Sequence, residues 1–204
     1  RFHVVHGVWL DARELDLLAE RGGHVIHCPT SNMSLASGVS PVPEMLARGV
    51  NIALASDGLC NYNHDMFSVM KTAPLLHRIH TLQSDVLSAE QVLEMATLGG
   101  ARALGLENEI GSLEPGKKAD VILLDLHKPH LVPIYDLPTA IVHGANAADV
   151  DTVIVDGQVI MEGRRVKTLD EAAITSAVEA AGPELWRRAG LGDRGHVRPR
   201  RNGY

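Results

Sequence analysis

Three groups of polar residues, each placed just after an apolar run, are the ones in this chain that could do chemistry together. His6 follows Val4-Val5, the segment His27-Cys28-Pro29-Thr30-Ser31-Asn32 follows Val25-Ile26, and Asp57-Gly58 follows Ile52-Ala53-Leu54-Ala55. Imidazole and carboxylate are the ligand types that suit a catalytic zinc or iron centre. They are also the commonest general acids and bases. Read singly, a His at a strand end is a hydrogen-bonded rim residue, and Asp57-Gly58 is an ordinary turn. Recurrence on successive units is what moves the reading toward a site. Spacing alone does not choose between a metal centre and acid–base chemistry.

Positioning such groups requires the runs before them to be parallel strands. Asn51 to Leu54 has the aliphatic character of a strand buried on both faces, and Gly58 lets the chain turn away after the acid. Asp11-Ala12-Arg13-Glu14 spells a helix N-cap with glutamate three positions on; Leu15, Leu17, Leu18 and Ala19 form the buried side, and Gly22-Gly23 end the helix. His24 to Cys28 is the second strand, broken by Pro29 into a loop that runs to Pro41. Pro43 to Arg48 is a short helix closed by Gly49. This strand–helix alternation is that of parallel βα units, whose strands all end on one rim. Asp65 to about His80 reads as a helix that Pro74 should kink or break. Ser88-Ala89-Glu90-Gln91 opens another, carrying Val92, Leu93, Met95 and Ala96, with Gly99-Gly100 allowing close packing or a break.

Beyond residue 110 the pattern changes. A turn-rich connection from Ile110 to Asp120 feeds a β run at Val121 to Leu126. Leu131 to Ala140, among Pro129, Pro133 and Pro138, reads as loop or edge. Thr152 to Met161 is a hairpin around Asp156-Gly157. Leu169 to Ala189 reads as helix, and the tail with Arg194, Arg198, Arg200 and Arg201 as a solvated end.

Composition bounds the partners. A length of 204 residues, 45% apolar and 22% charged, is that of a globular protein, and aromatics at 3% leave an aliphatic core. A net charge of −6 argues against nucleic acid or an anionic membrane as the main partner. No apolar run approaches the roughly 20 residues of a spanning helix. Cys28 and Cys60 have no metal-type spacing and read as small packed thiols of a cytoplasmic protein. The opening Arg1-Phe2-His3, already strand-like and without methionine, is expected to be a start in mid-fold.

The ordered motifs carry a resemblance. His6-Gly7-Val8-Trp9-Leu10, His27 to Met33, Val39 to Leu46, Asn51 to Gly58, Asp65-Met66-Phe67, Ala96 to Gly105, Ile110 to Leu126 and Val155-Asp156-Gly157 follow one another as in the amidohydrolase superfamily. The branch they resemble is that of the chlorohydrolases and the adenosine-type, guanine and triazine deaminases. The resemblance implies an α/β fold: the last part of a (β/α)8 TIM-type barrel, strands six to eight, plus part of a small β-sandwich. Residues 1–110 would be the barrel units, 111–168 the sandwich part, and 169–204 a C-terminal helix and tail. It further implies one divalent metal, zinc or else iron, with Asp57 as the strand-eight ligand and His6 as the strand-six histidine facing substrate or the attacking water. Asn32 would touch substrate or hold the loop after Pro29; Trp9 would wall the pocket or pack under its helix. His64, His77, His80, His127, His130 and His143 are expected at the surface or in loops, and Asp120, Asp125 and Asp156 in turns. Ser34 stands where the family often has Lys or Arg, so the resemblance does not extend to substrate charge.

The implied reaction is hydrolytic displacement at an sp² carbon of a small molecule, by a cytoplasmic protein that is a homo-oligomer in its full-length form. Loss of ammonia from an amino-heterocycle is the first reading. A catalytically silent piece acting only in binding or assembly is the second, and hydrolytic dehalogenation is a further alternative.

Overall fold

A computed structural model describes residues 2–58 and 64–191. Cys60 and the arginine-rich tail, both subjects of expectations above, lie outside the described residues. The first layer is a parallel sheet in the order β1-β2-β3, formed by His3–Val5, His24–His27 and Asn51–Leu54. Its register sets Val4 opposite Val25 and Val25 opposite Ile52. Val25 and Ile52 join Leu15, Leu18, Val42 and Met45 in the core, and Val4 packs against it. Residues 15 and 18 lie on α1 (Ala12–Glu20), and residues 42 and 45 on α3 (Val42–Ala47). Each fully buried aliphatic side chain of this kind contributes about 1.5–3 kcal/mol.

The cap of α1 is the one its sequence spells: Glu14 N–H donates to Asp11 Oδ1 and Asp11 N–H to Glu14 Oε2, both at 2.9 Å. Between β2 and α3 the expected loop is in its first part a helix, α2 (Pro29–Ser34). Proline at a first helical position is tolerated because its missing N–H has no intrahelical acceptor there. Pro74 likewise fails to break its helix. The element α4 runs unbroken over Met66–Thr81, with Phe67, Val69, Met70, Ala73, Pro74 and His77 all buried. A mid-helix proline costs about 3 kcal/mol, less than burial of that face returns.

Helices α5 (Ala89–Ala96) and α6 (Leu98–Leu104) are separated at Thr97, whose φ of −124° and ψ of −89° are not helical. Gly99 then lets α6 press onto β3, since a Cβ there would lie 2.2 Å from the Ile52 carbonyl oxygen. The second layer is antiparallel, in the order β4-β5-β6-β7: Val121–Leu124, Val150–Val155, Gln158–Glu162 and Arg165–Val166. The Asp156-Gly157 hairpin forms as expected, with φ of 50° and 76° at its two turn residues. The stretch expected to be loop or edge instead ends in a helical turn, α7 (Leu137–Thr139), continued by a π-helical turn at Ala140–Gly144. Val142 is buried there and, with Leu131, Ala145 and Val150, joins the same core as the first layer. The final helix, α8 (Glu171–Arg188), is exposed along its length. No helix among the described residues is long and apolar enough to cross a membrane.

Candidate active site

The parallel order of β1, β2 and β3 brings their C-terminal ends, and the polar residues after them, to one rim. His6 stays in the ladder through its N–H to the Ile26 carbonyl, 2.9 Å, and then turns with φ of 68°. Asp57, just past β3, turns with φ of 64°. Positive φ is uncommon for non-glycine residues, but His and Asp adopt it more readily than most, and here it turns the chain sharply at both strand ends. The two side chains meet: His6 Nε2 lies 3.8 Å from Asp57 Oδ2, with 38% and 31% of the side chains exposed.

Two buried residues on α2 reach these groups. Asn32 Oδ1 lies 2.9 Å from His6 Nδ1, and Ser31 Oγ–H donates to Asp57 Oδ2 at 2.5 Å. Asn32 thus reaches the histidine of the rim, and Ser31, which the sequence reading did not single out, reaches its acid. Adjacency to Asn32 on a helix that follows the middle strand was the available signal. Trp9 is 85% exposed, on the chain that leaves β1 at this rim. Asn32 is 2% exposed.

A histidine pair lies in the interior. His27 and His77 are fully buried, with Nε2 atoms 3.3 Å apart. His77 was expected at the surface. Its place three and four residues after Pro74 and Ala73 puts it on the buried face of α4. Burial, followed by the charges of His77 and His6, pushes the His27 pKa down to about 3. Burial and then His80 push His77 down to about 4. Both imidazoles are therefore neutral at pH 7. Cys28 is buried, as expected of a small packed residue.

Among the described residues, no group of three or more His, Cys, Asp or Glu side chains is disposed to hold a metal ion. The rim offers one carboxylate, Asp57, and one imidazole, His6, which are residue types that suit a divalent ion. A groove of about 410 Å³, lined by Asn51, Ile52, Glu94, Gly99 and Arg102 among others, lies at the start of β3 and so at the opposite end of that strand from Asp57.

Residues 1–160 match the model of the Amidohydrolase family. The 5′-deoxyadenosine deaminase of Methanosarcina mazei is 48% identical over 183 residues, 89% of this chain and 42% of that protein. The 5-methylthioadenosine/S-adenosylhomocysteine deaminase of Moorella thermoacetica is 52% identical over 176 residues, 86% of this chain and 41% of that protein. Among solved structures, an adenosine deaminase from Xanthomonas campestris with bound zinc superposes with a TM-score of 0.85 at 36% identity, covering 92% of this chain and 42% of that one. Atrazine chlorohydrolase from Arthrobacter aurescens, complexed with zinc, gives 0.80 at 26% identity, covering 87% and 40%. The chain spans about two-fifths of the length of the relatives it matches.

Proposed function

Because the chain belongs to the amidohydrolase family, we propose that it forms part of a metal-dependent hydrolase that deaminates an aminopurine nucleoside. In this reading β1, β2 and β3 are strands six to eight of a (β/α)8 barrel, residues 1–110, and residues 111–168 form part of a composite β-sandwich, followed by the C-terminal segment 169–204. The observation that carries it is the pairing of His6 and Asp57 at 3.8 Å on one rim. Greater identity to deaminases, 48% and 52%, than to the chlorohydrolase, 26%, favours ammonia over chloride as leaving group.

Asp57 would hold one divalent ion, zinc or iron, with its other ligands coming from the part of the relatives' length that this chain does not span. The rim's oxygen and nitrogen donors fit such an ion, and when bound it activates water at neutral pH. Asp57 takes a proton from the attacking water and returns it to the departing nitrogen. His6 hydrogen-bonds the attacking oxygen, and Trp9 and Asn32 border the substrate. The balance is one water consumed and one ammonia released, the C–N bond breaking as C–O forms. The whole protein is read as a cytoplasmic homo-oligomer; a net charge of −6 supports a small-molecule substrate over nucleic acid.

The test is ammonia release by the full-length protein from 5′-deoxyadenosine, 5′-methylthioadenosine, S-adenosylhomocysteine and atrazine, with metal content measured alongside. Asp57→Asn is expected to lose bound metal and at least about a thousandfold in kcat/KM. Wild-type turnover by that variant would refute the assignment. A metal-free, inactive full-length protein would leave a silent binding or assembly role in its place.

A further inference from the structure

We infer that Ser31 and Asn32 are positioning residues: Asn32 holds His6 as its Nδ1–H tautomer and Ser31 fixes the Asp57 carboxylate, so that a bare imidazole Nε2 faces a carboxylate oxygen across a gap that takes one hydrogen-bond donor. This rests on the hydrolase reading of the rim and deepens it.

With its amide oxygen turned to the ring and its buried Nδ2 left without a partner, Asn32 accepts at 2.9 Å from His6 Nδ1, which is then the donor. A neutral imidazole has a single N–H, which leaves the lone pair on Nε2. Asp57 Oδ2, when ionised, also only accepts, and it already receives the Ser31 hydroxyl proton at 2.5 Å. In the Nδ1–H tautomer, Nε2 and Oδ2 face each other as two acceptors. Their separation of 3.8 Å is too long for a direct hydrogen bond. A water, or a departing amine that carries two N–H bonds, placed between them can donate to both. That is the geometry needed to orient the attacking water and to receive its proton.

The brace is rigid for a structural reason. Ser31 and Asn32 are adjacent and buried on the first turns of α2, which leaves β2 directly. Pro29 fixes φ at the helix start, and Asn32 N–H donates to the Cys28 carbonyl at 3.0 Å. Since β2 lies between β1 and β3, one turn of helix on the middle strand reaches the histidine of one neighbour and the acid of the other.

The experiment is a long-range ¹H–¹⁵N correlation spectrum of the full-length protein labelled at histidine, recorded at pH 8, with His6 assigned through His6→Gln. Wild-type protein and Asn32→Asp, which keeps an acceptor, are expected to carry the His6 proton on Nδ1. Asn32→Leu is expected to move it to Nε2 and to lower kcat about a hundredfold with KM within about threefold. Ser31→Ala is expected to lower kcat in the same way, and Ser31→Thr to restore most of it. A wild-type His6 protonated on Nε2, as a reversed Asn32 amide would produce, overturns the inference without any variant having to fold. So does a tautomer that Asn32→Leu leaves unchanged. The expected tautomer in a protein inactive on every aminopurine supports the brace and sinks the deaminase reading. Turnover with the opposite tautomer does the reverse.

Discussion

His27 of β2 and His77 of α4 face each other Nε2 to Nε2 at 3.3 Å in the interior, one ring donating and the other accepting. Burial is the first cause of both depressed pKa values, about 3 and about 4 against 6.5. With the folded pKa below the unfolded one, the stabilisation is complete above pH 6.5 and is lost as pH falls from 6.5 toward 4. In that window each imidazole removes about 1.4 kcal/mol per pH unit at most. Urea unfolding midpoints should therefore drop clearly between pH 7.5 and pH 5. Replacing both residues by leucine should flatten the profile, and a wild-type profile already flat there would contradict a buried neutral pair.

Gly99 and Gly100 sit side by side in α6 and should answer oppositely to alanine. A Cβ at Gly99 meets the Ile52 carbonyl oxygen at 2.2 Å, and backbone cannot move aside as a side chain can. It would also disturb the Asn51 amide, which donates to the Gly99 carbonyl at 2.9 Å. Gly99→Ala should cost about 2 kcal/mol or more. A Cβ at Gly100 meets nothing within 4 Å, so Gly100→Ala should be neutral or stabilising by up to about 1 kcal/mol through helix propensity. Thermal unfolding of the two variants side by side decides it, and equal losses would show that the close approach is not what Gly99 is for.

What could be read beforehand was whatever depends on neighbours in sequence. The strand ends at His6 and Asp57, the Asp11 cap and the Asp156-Gly157 turn each express a local rule, and each stands where the rule puts it. Proline misled three times, because its effect depends on position in a helix and on what buries it. Pro29 starts α2, Pro74 rides inside α4 on a packed face, and Pro138 is the second residue of the turn that leads into the π-helix. His77 was missed because imidazole counts as polar, whereas its partner His27 is fifty residues away. Ser31 was missed for a similar reason: what defines it is an acid on another strand.

The cap of α5 offers a local test of helix specification. Ser88 accepts from the Gln91 N–H at 3.3 Å while Gln91 Oε1 accepts from the Ser88 N–H at 2.9 Å. Ser88→Ala should lower stability by about 1 kcal/mol and Ser88→Asp by much less. Because α5 carries Val92 and Met95 into the core, the loss should appear in the global unfolding midpoint. A change confined to local amide exchange would mean the helix end frays independently.

Trp9 separates a wall of the site from a packed residue. At 85% exposure it contributes little to folding, so Trp9→Ala should shift the unfolding free energy by less than about 0.5 kcal/mol. If its ring lies against a purine in the full-length protein, it contributes about 1 kcal/mol of stacking, and its removal should raise KM roughly fivefold while kcat holds. Trp9→Phe should recover most of that. An unchanged KM would remove Trp9 from the substrate's surroundings and leave recognition of the base to other residues. A lowered unfolding midpoint with an unchanged KM would instead favour a ring packed against protein in the assembled fold.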